Sequence, residues 1–238
     1  MPIPFSEMTH MRRTYRSMLA LAAVVLSPAA GSAQGQPETV RAAAGGGISA
    51  FGWKGVADPG GTVDQAKLAK SGDTLLVTTG PAVTYWNPAN TASGNYTVKA
   101  TFTEPKYMNL NSHPHPYGIV IAGNDMGTAG GSYLYCATYG RGTFIVRGFG
   151  PAPFQMNGRG EANAAVHKAN PGEPVTQEIA LSVKGDSLSC VINGTVVATY
   201  AKSAVVGAGK LKSTDGVWGI RFAHNTEGRV TGLGMTKN

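Results

Sequence analysis

The sequence predicts an all-β chain folded as a two-sheet antiparallel sandwich, on three observations. Residues 176–200, TQEIALSVKGDSLSCVINGTVVATY, hold three strands with no helix between them. Ile179, Leu181 and Val183, then Leu188, Cys190 and Ile192, alternate with polar or small residues. That period of two marks strands that bury one face. Elsewhere no segment carries a convincing 3.6-residue period, and 33 glycines without collagen-like spacing suit many short strands joined by tight turns.

Taken in order, Phe51-Gly52-Trp53 and Thr74–Thr79 read as an opening strand pair around the loop Asp58-Pro59-Gly60-Gly61. Asn95–Phe102 alternates cleanly, with Tyr96, Val98, Ala100 and Phe102 on one face. Tyr117–Ala122, Tyr133–Tyr139 and Thr143–Arg147 follow as short strands punctuated by glycines. Glu161–Lys168 is the one stretch expected to make a helical turn or two. Lys184-Gly185-Asp186-Ser187 turns the first strand of the 176–200 segment into the second. Asn193-Gly194 supplies the positive φ that a two-residue hairpin turn needs. Gly216–His224 and Arg229–Thr236 close the chain. The expected domain has ten to thirteen strands, with its terminal strands paired.

Residues 11–33, MRRTYRSMLALAAVVLSPAAGSA, read as an export signal. Arg12, Arg13 and Arg16 form the basic head, Met18–Leu26 the apolar run, and Gly31-Ser32-Ala33 the small-residue cleavage site. Residues 1–10 read as a mis-assigned start ahead of Met11. The apolar run falls short of the ~20 residues a membrane span needs, and no cysteine near the cleavage point offers a lipid anchor. The expectation is a periplasmic or secreted product with no membrane anchor. Residues 34–47, rich in Ala, Gly and Gln, read as a flexible leader, and 48–238 as one domain. Removal of residues 1–33 leaves 17 basic and 12 acidic residues, a net charge of +5 spread without any Lys/Arg run. A nucleic-acid partner would need a clustered stripe, so none is expected. Cys136 and Cys190, the only cysteines, fall on the apolar phase of their strands. They are either a disulfide or two buried thiols, depending on whether their strands face each other.

Several strand and turn patterns together carry a family resemblance. They are Phe51-Gly52-Trp53, the Gly94-Asn95-Tyr96-Thr97-Val98 strand, Tyr117-Gly118-Ile119-Val120, the Ser132–Tyr139 strand, the Val191-Ile192-Asn193-Gly194 hairpin and Gly219-Ile220 ahead of Gly232-Leu233. Over residues 48–238 the chain resembles the concanavalin A-like jelly rolls of lectins, laminin-G domains and family-sixteen glucanases. It is most similar to secreted bacterial 3-keto-disaccharide hydrolase-like, laminin-G-like domains. The resemblance implies a jelly roll with a concave, ligand-facing sheet. In family-sixteen glucanases one strand of that sheet carries the catalytic carboxylates; the matching strand here, Ser132–Tyr139, carries tyrosines. Retaining hydrolysis needs two carboxyl groups ~5 Å apart. Glu104, Glu178 and Asp215 stand singly, so no catalytic residue is assigned and glucan hydrolysis of that type is not expected.

The same positions suit binding. Sugar rings stack on aromatic faces while their hydroxyls take hydrogen bonds from polar groups. Tyr133, Tyr135 and Tyr139 form the expected platform. Arg147 and Arg221 join it because they lie opposite the core phase of their strands, and Trp86 is the expected exposed aromatic. Trp53 and Trp218 are expected in the core. His113-Pro114-His115-Pro116 places two imidazoles on a stiff loop before the Tyr117 strand, suited to hydrogen bonding a ligand at the groove edge. Two histidines alone do not make a catalytic metal site; His167, His224 and Asp125 are the further ligands available, with no spacing rule linking them. No cofactor is therefore assigned, although a structural Ca²⁺ of the kind jelly rolls carry could use Asp58 or Asp215. The leading expectation is a carbohydrate-binding module with a glycan ligand. The alternatives are a sugar-acting hydrolase dependent on the histidines or a metal, and a structural or protein-interaction jelly roll.

Overall fold

The computed structural model describes residues 38–238. The export signal expected at residues 1–33 lies outside them. In chain order the strands are β1 (Gly47–Ile48), β2 (Lys54–Ala57), β3 (Lys67–Ser71), β4 (Thr74–Thr78), β5 (Val83–Ala92) and β6 (Tyr96–Glu104). Next come β7 (Tyr117–Asn124), β8 (Ser132–Tyr139), β9 (Thr143–Phe149), β10 (Phe154–Gln155) and β11 (Glu161–Ala162). The last are β12 (Val175–Lys184), β13 (Ser187–Ile192), β14 (Thr195–Ala201), β15 (Gly216–Phe222) and β16 (Glu227–Lys237). Among the described residues, helix is confined to a 3-10 turn at Val63–Gln65 and one turn, α1, at Lys202–Val205.

Two sheets face each other. The first runs β1-β3-β4-β16-β6-β12-β13-β14; the second runs β10-β9-β8-β7-β15-β5-β2, with β11 also on β9. Apart from the short parallel β1–β3 contact, the strands named here pair antiparallel. The 176–200 segment forms β12, β13 and β14 as expected, with Gly185 at φ 56° in the first turn and Asn193 and Gly194 at φ 48° and 80° in the second. Positive φ at both central residues matches the twist of a hairpin, which is why Asn-Gly serves there. The inner faces bury Tyr96, Val98, Ala100 and Phe102 against Ile119, Leu134, Phe144, Ile220 and Phe222.

The Cys136–Cys190 pair is a disulfide, with Cα atoms 6.1 Å apart. It joins β8 of one sheet to β13 of the other through the core. Trp218 is buried, and Trp53 packs partly buried against the same core.

Three local expectations are corrected. Phe51-Gly52-Trp53 is a turn and not a strand: Gly52 has φ 78° and Phe51 is 99% exposed. The first and last strands share a sheet without pairing, since β16 lies between β4 and β6 while β1 sits at the edge on β3. Glu161–Lys168 makes no helix; Glu161 and Ala162 pair with Phe144 and Thr143, and the Asn163 side chain then accepts the Ala165 N–H at 2.9 Å. That side-chain bond offers the backbone a turn in place of a helix. Residues 38–46 of the expected flexible leader are held against the sandwich. Arg41 N–H donates to Asn225 Oδ1 (2.8 Å), Asn225 Nδ2 donates to the Thr39 carbonyl (2.9 Å), and Ala43 N–H donates to the Gln65 carbonyl (2.8 Å).

Candidate functional site

The second sheet turns one face to the core and the other outward, and strand register decides which side chains meet on the outer face. Across the sheet, Thr84, Arg221, Gly118, Ala137 and Ile145 fall in one row. The next row holds Trp86, Gly219, Val120, Tyr135 and Arg147, and Tyr133 lies opposite Phe149 one step on. Side chains opposite each other in register share a face, so the strand parity expected for Tyr133, Tyr135, Arg147 and Arg221 holds.

Arg221 is the hub of this face and is 7% exposed. Its guanidinium donates to Asp58 Oδ2 (2.5 Å), Thr84 Oγ1 (2.8 Å) and Tyr133 Oη (3.1 Å), and lies over the Tyr135 and Phe149 rings. Burial works against its charge, but Tyr133 and then Asp58 outweigh it and hold the group above the ordinary arginine value. Tyr133 and Tyr135 are buried in an outer apolar cluster with Val120, Ala137 and Ile145, and both stack on Phe149. Burial also raises the Tyr133 and Tyr139 phenols. Both remain protonated at neutral pH, and the Tyr133 hydroxyl accepts from Thr84 (3.0 Å) and Arg221 (3.1 Å).

Two clefts flank the hub. One, of about 410 Å³, gathers Tyr135, Tyr139, Arg147, Arg221, His113 and His115 on one surface, with His224 and the exposed Arg141 and Arg159 at its margin. The other, of about 590 Å³, is lined by Tyr133, Arg147, Phe149 and the Met126–Ala129 loop. Asp58 borders both. Trp86 joins neither. It is 5% exposed and lies against Gly127, so the expectation of an exposed aromatic there is corrected: the loop between β7 and β8 covers the ring.

At the end of the smaller cleft the chain brings four potential ligands together. Glu38, His113, His115 and His224 each offer a donor atom, all within 4.8 Å of one another. His115 Nδ1 donates to the His224 carbonyl at 2.5 Å, and His113 Nε2 lies 2.9 Å from His115 Nε2. Glu38 Oε1 accepts the Ser112 N–H (3.1 Å), while Glu38 Oε2 is buried without a hydrogen-bond partner. Burial, then the neighbouring His224, lowers the His115 imidazolium to about 4, and burial lowers His224 against the pull of Glu38. Of the further ligands considered from sequence, His224 is present. His167 instead bonds the Thr176 carbonyl (2.7 Å), and Asp125 pairs with Lys212. Asp58 is taken by Arg221, and Asp215 Oδ1 accepts the Gly94 N–H (2.9 Å), so neither stands in an acidic cluster among the described residues.

Sequence reasoning missed Glu38, Thr84, Phe149, Arg141 and Arg159. Phe149 was recoverable, since it lies two residues after Arg147 and so on the same face. Glu38 was not, because nothing in an Ala/Gly-rich segment announces where it docks.

No protein-family model matches the sequence, and no curated protein matches it. Solved structures do resemble the fold. A Bacillus subtilis protein of unknown function with a galectin-like fold superposes with a TM-score of 0.53 at 12% identity, over 78% of this chain and 89% of that one. A carbohydrate-binding module of Bacillus subtilis, CBM66, gives 0.46 at 7% identity over 80% and 98%. Sheep galectin-11 gives 0.39 at 14% identity over 61% and 92%. The first of these carries the assignment: the chain is an antiparallel jelly-roll β-sandwich with a galectin-like fold.

Proposed function

We propose that this chain is a periplasmic or secreted carbohydrate-recognition jelly roll that binds sugars, preferentially acidic ones, on the outer face of its second sheet. One observation carries the reading: Tyr139, Arg147, His113 and His115 line the same cleft, floored by Tyr135 and Arg221. The half-buried Tyr139 supplies an apolar face with a polar edge, and Arg147 supplies donors to hydroxyls. Arg141, Arg147 and Arg159 border the cleft while its one lining carboxylate among the described residues, Asp58, is paired with Arg221. That imbalance suits a carboxylate or sulfate on the sugar. The basic head and apolar run of residues 11–33 and the disulfide support an oxidising compartment.

Calorimetric titration with neutral and acidic oligosaccharides tests the proposal. Acidic ligands are expected to bind more tightly, with affinity falling as salt rises. Tyr139→Ala and Arg147→Ala should each weaken binding by at least ~1 kcal/mol, about fivefold, with little change in melting temperature. Absence of binding across both ligand sets, or binding indifferent to both substitutions, sinks it.

A second reading, hydrolysis of sugars including 3-keto sugars, is favoured by the Glu38–histidine cluster at the end of that cleft. Product formation that disappears with chelator and in the His113→Ala/His115→Ala double variant would select it over pure recognition. Ordinary β-glucan cleavage is not expected under either reading, because the cleft offers no carboxylate pair.

A further inference from the structure

We infer that Glu38, His113, His115 and His224 form a binding site for one divalent transition-metal ion of the zinc type. The distances from the carboxylate match such an ion, and all four donors lie within 4.8 Å of one another. Donors about 2.0–2.2 Å from a tetrahedral zinc stand roughly 3.3–3.6 Å apart. Glu38 Oε2 lies 3.4 Å from His113 Nδ1, 3.4 Å from His115 Nε2 and 3.7 Å from His224 Nε2. Three imidazoles and one carboxylate are a donor set that zinc takes in proteins.

The hydrogen-bond network explains why a cation belongs there. His115 Nδ1 carries the proton it gives to the His224 carbonyl, so His115 Nε2 holds a lone pair. With that lone pair as acceptor, the 2.9 Å contact places the proton of His113 on Nε2 and leaves a lone pair on His113 Nδ1. Glu38 Oε2 stands 3.4 Å from His115 Nε2 and from His113 Nδ1 and is hydrogen-bonded by neither. An unsatisfied buried carboxylate oxygen costs a charged group's desolvation. A divalent ion between the donors removes that penalty, with His115 Nε2 turning its lone pair from His113 to the ion.

The surroundings hold these donors in place. The His115 bond to a backbone carbonyl is the kind of outer contact that fixes the ring orientation of a metal-binding histidine. Ser112 N–H holds the other oxygen of Glu38, and the Asn225 side chain clamps the backbone at Thr39 and Arg41 on either side of Arg41's neighbour Val40. Asn225 follows His224 directly, so one short segment positions two ligands. Asn225 is a positioning residue here, not a ligand. The site borders the cleft, because His113, His115 and His224 also line it.

The test uses the purified protein, stripped with chelator and titrated with Zn²⁺ alone by calorimetry, with metal content read by native mass spectrometry. One ion per chain, bound at micromolar concentration or tighter and raising the melting temperature, is expected. His113→Ala, at an exposed side chain, and His224→Ala, at a part-exposed one, should each weaken binding at least tenfold while the apo protein keeps its β-rich circular dichroism spectrum. Glu38→Gln should do the same, and Asn225→Ala should weaken it about tenfold through position alone. Anomalous scattering at the zinc edge should locate the ion among the four side chains. No saturable binding, or zinc binding that His113→Ala and His224→Ala leave unchanged, overturns the inference and leaves the group as a proton-bridged cluster.

Discussion

Arg221 meets its neighbours in three ways at once: an ion pair with Asp58, hydrogen bonds to Thr84 and Tyr133, and its flat face against Tyr135 and Phe149. A planar fork can do all three; an ammonium cannot. Arg221→Lys is therefore expected to cost about 2 kcal/mol of stability, because it removes the fork's bonds to Thr84 and Tyr133, leaving those hydroxyls only their bond to each other (3.0 Å), while keeping the charge. Denaturant unfolding would show this, and a loss below roughly 0.5 kcal/mol would mean the fork is dispensable. Tyr135, read from parity as a solvent-facing platform, is 4% exposed because Phe149 and Arg221 lie over it. Its replacement by Ala should accordingly destabilise by ~2–4 kcal/mol, so any effect on sugar binding at that position is confounded by unfolding. Tyr139, half-buried at the cleft, is the residue on which recognition can be tested cleanly. Which face a side chain takes was legible from the period of two; how deeply its neighbours cover it depends on strands distant in sequence, and was not.

At the scale of the element, β6 carries a buried row, Tyr96, Val98, Ala100 and Phe102, that ends in Glu104. That carboxyl is 3% exposed, with one oxygen accepting the Met108 N–H (3.2 Å) and the other without a partner. Burial raises it to about 7. Since its folded pKa lies above its unfolded value, the folded state binds the extra proton between about pH 4.5 and 7. Its contribution is intact below that window and is lost as pH rises through it, a swing on the order of 3 kcal/mol. Glu104→Gln keeps an acceptor for Met108 without the charge. It should flatten this limb and raise stability at pH 8; an unchanged pH profile of unfolding would show that Glu104 ionises freely in the fold. The hairpins of β12, β13 and β14 were legible because alternation and turn residues are local. Strand β5 was not, since Pro88, which has no N–H to give a ladder, interrupts it and reads as a strand end. The register between β5 and β15 slips there, from Trp86 opposite Gly219 to Thr91 opposite Val217, so Pro88 falls where no regular ladder bond is required. The histidine loop was visible as a motif, but its partners Glu38 and His224 arrive from the opposite ends of the domain, and only the completed fold brings them together.

Across the whole molecule, the two sheets are held by apolar burial and by one covalent link, Cys136–Cys190, between β8 and β13. Sequence parity put both sulfurs on core-facing positions, yet left open whether they meet, because that depends on how the sheets stack. The bond closes a loop 54 residues in span, which contains β9 to β12 and the turn into β13. Constraining a loop of that length in the unfolded chain stabilises the native state by about 4 kcal/mol on the chain-entropy account. Cys136 also sits directly behind the binding face, flanked in β8 by Tyr135 and Ala137, whose side chains belong to the outer cluster. A Cys136→Ala/Cys190→Ala protein is therefore expected to unfold with a melting temperature at least several degrees lower, while retaining sugar and zinc binding at low temperature, since no ligand-lining side chain is altered. Melting curves of the oxidised, reduced and double-alanine forms check the first part, and calorimetry at 10 °C the second. Equal melting temperatures in all three would mean that the sandwich does not rely on the cross-link. Loss of both binding activities in a folded double variant would mean that the disulfide shapes the outer face through the sheet.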